Sequence, residues 1–245
     1  MRISKNSKNK FLFFLIIILY VIFNGGNNNL LIQINFICIS TLFLFSLKDK
    51  NYKSHLKYFY KKNKLFIFFY FLFLIFILFQ IFPLPIESLR VFSRFKYEYL
   101  SLLEHDIKFI SISLSPSETF FQFLHYLSLI IMVFLIKMIF YKNLHTNRIY
   151  FFLSFFGAFT SLFAIILYLF GNPDLFFIEK VHNYKGSASG FFINRTVFSL
   201  FLLFCFMSSL EIQKNSISYN SKSKNDNFFL RIYVRLFIIF ITIGI

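Results

Sequence analysis

The feature that most constrains this chain is a succession of apolar runs, at residues 30–46, 65–82, 119–140, 149–170 and 191–207. Each is near the ~20 residues that carry an α-helix through a bilayer core about 30 Å thick. Inside hydrocarbon the backbone must satisfy its own N–H and C=O groups, which leaves helices as the spanning form for runs of this length. A shorter run at 11–23 precedes them, and ten apolar residues, 236–245, follow Arg235. The expected fold is therefore all-α: a polytopic transmembrane bundle of about six complete spans plus a truncated seventh. Composition agrees, since 58% of residues are hydrophobic and 43 are Phe, more than a soluble domain of 245 residues could bury. Cys38 and Cys205 lie inside apolar runs without metal-ligand spacing and read as small buried hydrophobes, so no metal site is expected.

The net charge of +16 does not point to nucleic acid, because the Lys and Arg fall in short links between apolar runs and form no basic domain. Their distribution instead sets an orientation. With the N-terminus cytoplasmic, the inner links 1–10, 48–64, 141–148 and 211–231 hold 17 Lys and Arg, and the outer links 83–118 and 171–190 hold 6. That asymmetry obeys the positive-inside rule. The basic head and the run at 11–23 resemble a signal peptide, but residues 24–29 offer no small-x-small cleavage site, and a helical hairpin is expected. At the other end, ten apolar residues reach only about 15 Å as helix. The expectation is that 1–245 is a single membrane domain, the N-terminal portion of something longer; no internal repeat makes it a complete inverted-repeat transporter.

The outer interval 83–118 has a pattern of its own. Leu89, Phe92, Tyr99 and Leu103 recur at roughly helical spacing among charged residues, which predicts a helix in the interface plane. Ser115, Pro116 and Glu118 then form a capping-box pattern, which predicts a helix start at residue 116. On its first turns Glu118, Gln122 and His125 share one face, either lining a water-filled vestibule or snorkelling and hydrogen-bonding between helices.

The outer loop 171–190 leads into the most informative stretch, Lys185 to Ser199. Small residues from Gly186 to Gly190 run into an apolar segment that carries Asn194 and Arg195. Two turns into a span, an arginine costs roughly 2.5–3.5 kcal/mol at the centre of the bilayer, so it either snorkels to the headgroups or faces protein, water or ligand. A glycine-rich loop before a helix N-terminus favours anions through free amides and the helix dipole, and Lys185 and Arg195 bracket it with positive charge. A diphosphate headgroup would suit the place. The loop lacks the Gly-Lys-Ser/Thr ending of a P-loop, and on physics alone a plain turn and an anion site are both open.

Three ordered pieces, Pro83-Leu84-Pro85, the Ser113–Thr119 stretch and the run from Gly186 through Asn194-Arg195, resemble the O-antigen ligase and polymerase family of polytopic membrane proteins. The resemblance covers about residues 65 to 210. In that family the third piece continues Asn-Arg-Asn-His-Phe-Ala; this chain keeps Asn194, Arg195 and Phe198 but has Thr196, Val197 and Ser199. The resemblance implies glycan transfer from a polyprenyl-diphosphate carrier to a lipid or glycan acceptor, in the synthesis of lipopolysaccharide or another surface polysaccharide. It implies action at the outer face of the bacterial inner membrane, with no nucleotide sugar, metal or other cofactor. Arg195, Asn194, Lys185, Gly186 and Gly190 are then the substrate-binding candidates, with Arg195 placed in a cavity shared with the outer end of the fourth span. An essential histidine and further arginines are implied in a large outer loop beyond the region present here, so no catalytic residue is assigned. His125 and His182 face the outer side and are weak candidates for a base; His55, His105 and His145 lie in polar links. Two other classes stay open: a transporter or flippase subunit, which would show charges at several mid-membrane positions, and a noncatalytic membrane protein.

Overall fold

The computed structural model describes residues 5–22, 29–102, 108–140, 143–173, 186–192, 194–218 and 224–244. The elements are α1 (Lys5–Ile22), α2 (Asn29–Leu47), α3 (Lys50–Lys62), α4 (Lys64–Ile81), β1 (Pro83–Pro85), α5 (Ile86–Phe92), α6 (Arg94–Ser101), β2 (Phe109–Ser111), α7 (Pro116–Ile139), α8 (Asn143–Leu169), α9 (Arg195–Ser218) and α10 (Lys224–Gly244). Five of them, α2, α4, α7, α8 and α9, are long and apolar enough to cross a membrane, with mean hydropathies from 1.6 to 2.5. They mark the chain as a multi-pass membrane protein, and large side chains such as Leu65, Phe69 and Phe76 on α4 point outward as lipid-facing residues would. The other two apolar runs also lie in helices. In α1, three lysines occupy positions 5, 8 and 10, which leaves about 18 Å of apolar helix. The apolar stretch after Arg235 is the second half of α10, which begins back at Lys224 and buries Val234 and Ile241 while exposing Arg235 and Leu236.

The chain forms two compact units. One, residues 1–27 with 140–245, contains α1, α8, α9 and α10. Its core joins Phe156, Ala158 and Ala164 of α8 to Phe198, Leu202 and Cys205 of α9 and Ile241 of α10. Small residues decide this packing, as expected where lipid removes the hydrophobic drive between helices. A Cβ on Gly157 would collide with the Cys205 side chain, and one on Gly244 with Ser161 and Leu202. The Ser161 hydroxyl donates to the Phe240 carbonyl at 2.6 Å, and Phe14 of α1 stacks on Phe152 of α8 at 4.3 Å.

The second unit, residues 28–139, is organised around α7, which packs against α2, α3 and α4. The Tyr70 hydroxyl of α4 donates to the Tyr126 carbonyl of α7 at 2.7 Å, and the Phe73 and Tyr126 rings meet edge to face at 5.1 Å. The basic link at 48–64 is not irregular. It folds as α3, started by Asp49, whose carboxylate accepts the Asn51 N–H at 2.9 Å, and ended at Asn63.

The outer interval also differs from expectation. Instead of one interfacial helix there are two short ones, α5 and α6, broken at Ser93 (φ −155°, ψ 73°). Pro83-Leu84-Pro85 does more than end a span: it pairs antiparallel with Phe109–Ser111, Leu84 opposite Ile110. One pair further on, the Ile86 N–H donates to the Lys108 carbonyl at 3.2 Å. Because such pairs alternate, Leu84 and Ile110 form the next hydrogen-bonded pair, and the prolines occupy positions that need no N–H.

Candidate functional site

The first candidate lies at the C-terminal end of α8 and the start of α9. The chain leaves α8 through Gly171 (φ 79°) and Asn172 (φ 53°), a left-handed pair in which the Asn172 N–H reaches back to the Leu167 carbonyl at 2.8 Å. Asn172 is buried, and its amide donates to the Ser187 carbonyl at 2.9 Å, which ties the small-residue loop to the end of α8. Gly190 (φ 56°) lies against α8 so closely that a Cβ there would stand 3.2 Å from the Ala164 Cβ. Gly186 is different: a Cβ would meet nothing within 4 Å among the described residues. Ser189 is fully buried, and its hydroxyl has no hydrogen-bond partner among the described residues.

The helix start expected near Phe191 is corrected. Phe191 stacks on Phe163 at 4.4 Å, and Phe192 is buried against Phe198 and Phe201 at 5.5 and 5.4 Å. These contacts hold residues 191 and 192 as packed loop. The Asn194 side-chain oxygen accepts the Thr196 N–H at 2.7 Å, and its carbonyl accepts the Phe198 N–H at 3.1 Å, so Asn194 caps α9. Arg195 is the first helical residue and is exposed, not two turns inside a span, so the penalty for an arginine at the bilayer centre does not apply to it. Lys185 and His182 lie outside the described residues, as do Glu104, His105, Asp106, Asp174, Glu179 and the turn at 24–28; His145 is helical, but its side chain is not described.

The second candidate belongs to the other unit. α7 starts at Pro116 as predicted, yet the reciprocal capping box is absent. The Ser115 N–H donates to the Ser113 hydroxyl at 3.2 Å, and the Glu118 carboxylate accepts instead from the Asn29 amide of α2 at 2.8 Å. Glu118 and Gln122 line a cleft of about 470 Å³ with Phe73, Ile77 and Gln80 of α4 and with Tyr126. His125 does not line it. Its Nδ1 is buried without a hydrogen-bond partner among the described residues, and its ring stands 6.0 Å from that of Tyr126.

Bonded to Ser113, one of the cleft-lining residues, is a residue that sequence reasoning missed. Lys96 of α6, expected on a polar face, is buried, and its ammonium donates to the Ser111 and Ser113 carbonyls at 2.6 and 2.7 Å. Burial pushes its pKa below the usual lysine value. The Ser113 N–H in turn donates to the Gln80 carbonyl at 2.9 Å, so one lysine helps fix the segment between β2 and α7 to the end of α4. Nothing in the spacing separates Lys96 from the exposed Arg90 and Arg94.

Of the sequence candidates, Asn194 and Arg195 stand at the α9 start, Gly190 packs on α8, and Glu118 and Gln122 line the cleft. The two groups belong to different units, each described within itself. Among the described residues no cluster of His, Cys, Asp and Glu could hold a metal ion. No protein-family model, curated protein or solved structure matches the chain.

Proposed function

We propose that this chain is a membrane glycosyltransferase of the O-antigen ligase or polymerase type, taking a glycan from a polyprenyl-diphosphate carrier at the outer face of the bacterial inner membrane. Its N-terminus is then cytoplasmic, α1 and α10 join the five long apolar helices in crossing the membrane, and a lipid or glycan acceptor arrives from the outer side. The observation that carries the reading is the position of Arg195: an exposed guanidinium on the first residue of an apolar helix, directly after a loop anchored to α8. A cation at a helix N-terminus works against the dipole by ~0.3–1 kcal/mol. A bound anion changes that, because it is attracted by the guanidinium and by the first-turn amides together. A carrier diphosphate is such an anion, and holding the charge that develops on it as it leaves is the help this transfer needs. Asn194 shapes the site by capping, while Gly186 leaves room above the loop. Lys185 is the second cation proposed for the carrier.

The test is glycan transfer in cells whose surface polysaccharide depends on the protein. Arginine offers phosphate a planar, bidentate contact that lysine lacks. Arg195→Lys should therefore lower transfer, and Arg195→Ala should cut it by about 100-fold or more, with membrane levels unchanged. Full transfer by Arg195→Ala would remove Arg195 from substrate binding and leave it a headgroup-anchoring residue.

A further inference from the structure

A second cleft, of about 360 Å³, lies within the residue 28–139 unit where the basic helix α3 meets α2 and α7. Its walls are apolar: Phe43 and Leu47 from α2, Phe134 from α7, and Leu56 with the Tyr60 ring from α3. Its rim is cationic. Lys53 and Lys57 also line it, and residues 53, 56, 57 and 60 fall on one face of α3 by helical spacing. Both lysines are exposed, and among the described residues neither ammonium has a carboxylate partner. The whole of α3 carries five lysines and no acid, and the nearest acid, Asp49, is engaged in capping.

The surroundings put this cleft at the boundary between hydrocarbon and headgroups. Leu44 and Phe45 beside it on α2 are exposed apolar residues of a candidate span. At the ends of α2 and α7, Lys48 lies over the Phe45 ring at 5.1 Å and Lys137 over the Phe59 ring at 5.8 Å, as cations do when they reach from a span toward the interface. A slot that is oily along its walls and doubly positive at its mouth, at that depth, matches an amphiphile with an acyl chain and an anionic head.

We propose that the α2–α3–α7 cleft binds an anionic glycerophospholipid from the surrounding leaflet, an acyl chain lying between Phe43, Leu47 and Phe134 and the headgroup phosphate held by Lys53 and Lys57. Charge complementarity chooses the lipid over an apolar protein segment, because a peptide would leave both ammoniums unmatched. The assignment holds on whichever side of the membrane α3 lies and does not rest on glycan transfer.

The chain contains no Trp, so Phe134→Trp introduces a single tryptophan into the cleft wall, excited selectively over the 14 tyrosines at the red edge of the absorption band. The full chain carrying it, reconstituted in phosphatidylcholine, is titrated with brominated phosphatidylglycerol and, separately, with brominated phosphatidylcholine. At about fivefold per lysine, phosphatidylglycerol should quench at a roughly 25-fold lower mole fraction. Lys53→Gln with Lys57→Gln should erase most of that preference, and Lys61→Gln with Lys62→Gln, outside the lining, should keep it. Equal quenching by the two lipids, or a preference indifferent to Lys53 and Lys57, overturns the proposal. So does absence of quenching by either lipid, read also from Tyr60→Trp at the rim in case Phe134→Trp disturbs folding.

Discussion

Gly186 and Gly190 bound the same short loop in opposite circumstances. Gly190 needs its left-handed φ of 56° and lies against Ala164, whereas a Cβ on Gly186, at an ordinary φ, would meet no described residue within 4 Å. Gly190→Ala should lower thermal stability in detergent by about 1–2 kcal/mol, and Gly186→Ala should leave it unchanged. Equal effects from the two variants would mean that the loop is not seated on α8 as described. A run of small residues announces a loop, but which glycine packs depends on α8, whose contact with it no local pattern reports. The neighbouring pair shows the same limit. Asn-Arg before an apolar run reads as a charge inside a span when Phe191 and Phe192 are counted as helix; their rings instead seat on α8 and α9, and Asn194 becomes the cap.

Between elements, part of the joining is done by groups that hydropathy treats as surface. Lys96 links α6 to the segment after β2, and Lys96→Met would leave the Ser111 and Ser113 carbonyls without that donor, at about 1–3 kcal/mol for each that stays buried and unpaired. Because burial lowers its folded-state pKa below the ordinary 10.5, the folded protein releases this proton before the unfolded chain does. In the window between the two values the unfolded state holds more protons, so wild-type stability rises with pH there. The neutral amine still donates, so the deficit of Lys96→Met relative to wild type should widen as the pH is raised toward 10.5 in thermal unfolding. A deficit that shrinks over that range would contradict the buried placement. The start of α7 was legible at this scale: Pro116 opens it where the capping pattern put it, since a proline at the first position is a local signal. The partner of Glu118 was not legible, because Asn29 is 89 residues away. Nor was the folding of 48–64 as a helix, whose polar composition resembled that of a solvated link until Asp49 capped it.

At the scale of the whole molecule, apolar runs located the five helices long and apolar enough to span, but said nothing of which helix joins which. The chain closes one unit from α1 with α8, α9 and α10 and inserts the other between them in sequence, a choice made by small contact residues such as Gly157 against Cys205. Orientation remains a matter of charge. On the positive-inside rule, the 17 to 6 excess of Lys and Arg on alternate links is the basis for proposing that residues 83–118 and 171–190 lie on the outer side and α3 inside. Cysteine labelling tests this directly in a background with Cys38 and Cys205 replaced by Ala. Tyr99→Cys and Gly186→Cys, both at exposed positions, should react with a membrane-impermeant maleimide in cells whose membrane is intact. Lys57→Cys, also exposed, should react only after that membrane is permeabilised. Labelling of position 57 but not of 99 or 186 would invert the topology and put Arg195 on the cytoplasmic side, away from any carrier-linked glycan displayed outside. Labelling of 99 without 186 would instead mean that the number of crossings between them is odd, and that α7 and α8 do not both span.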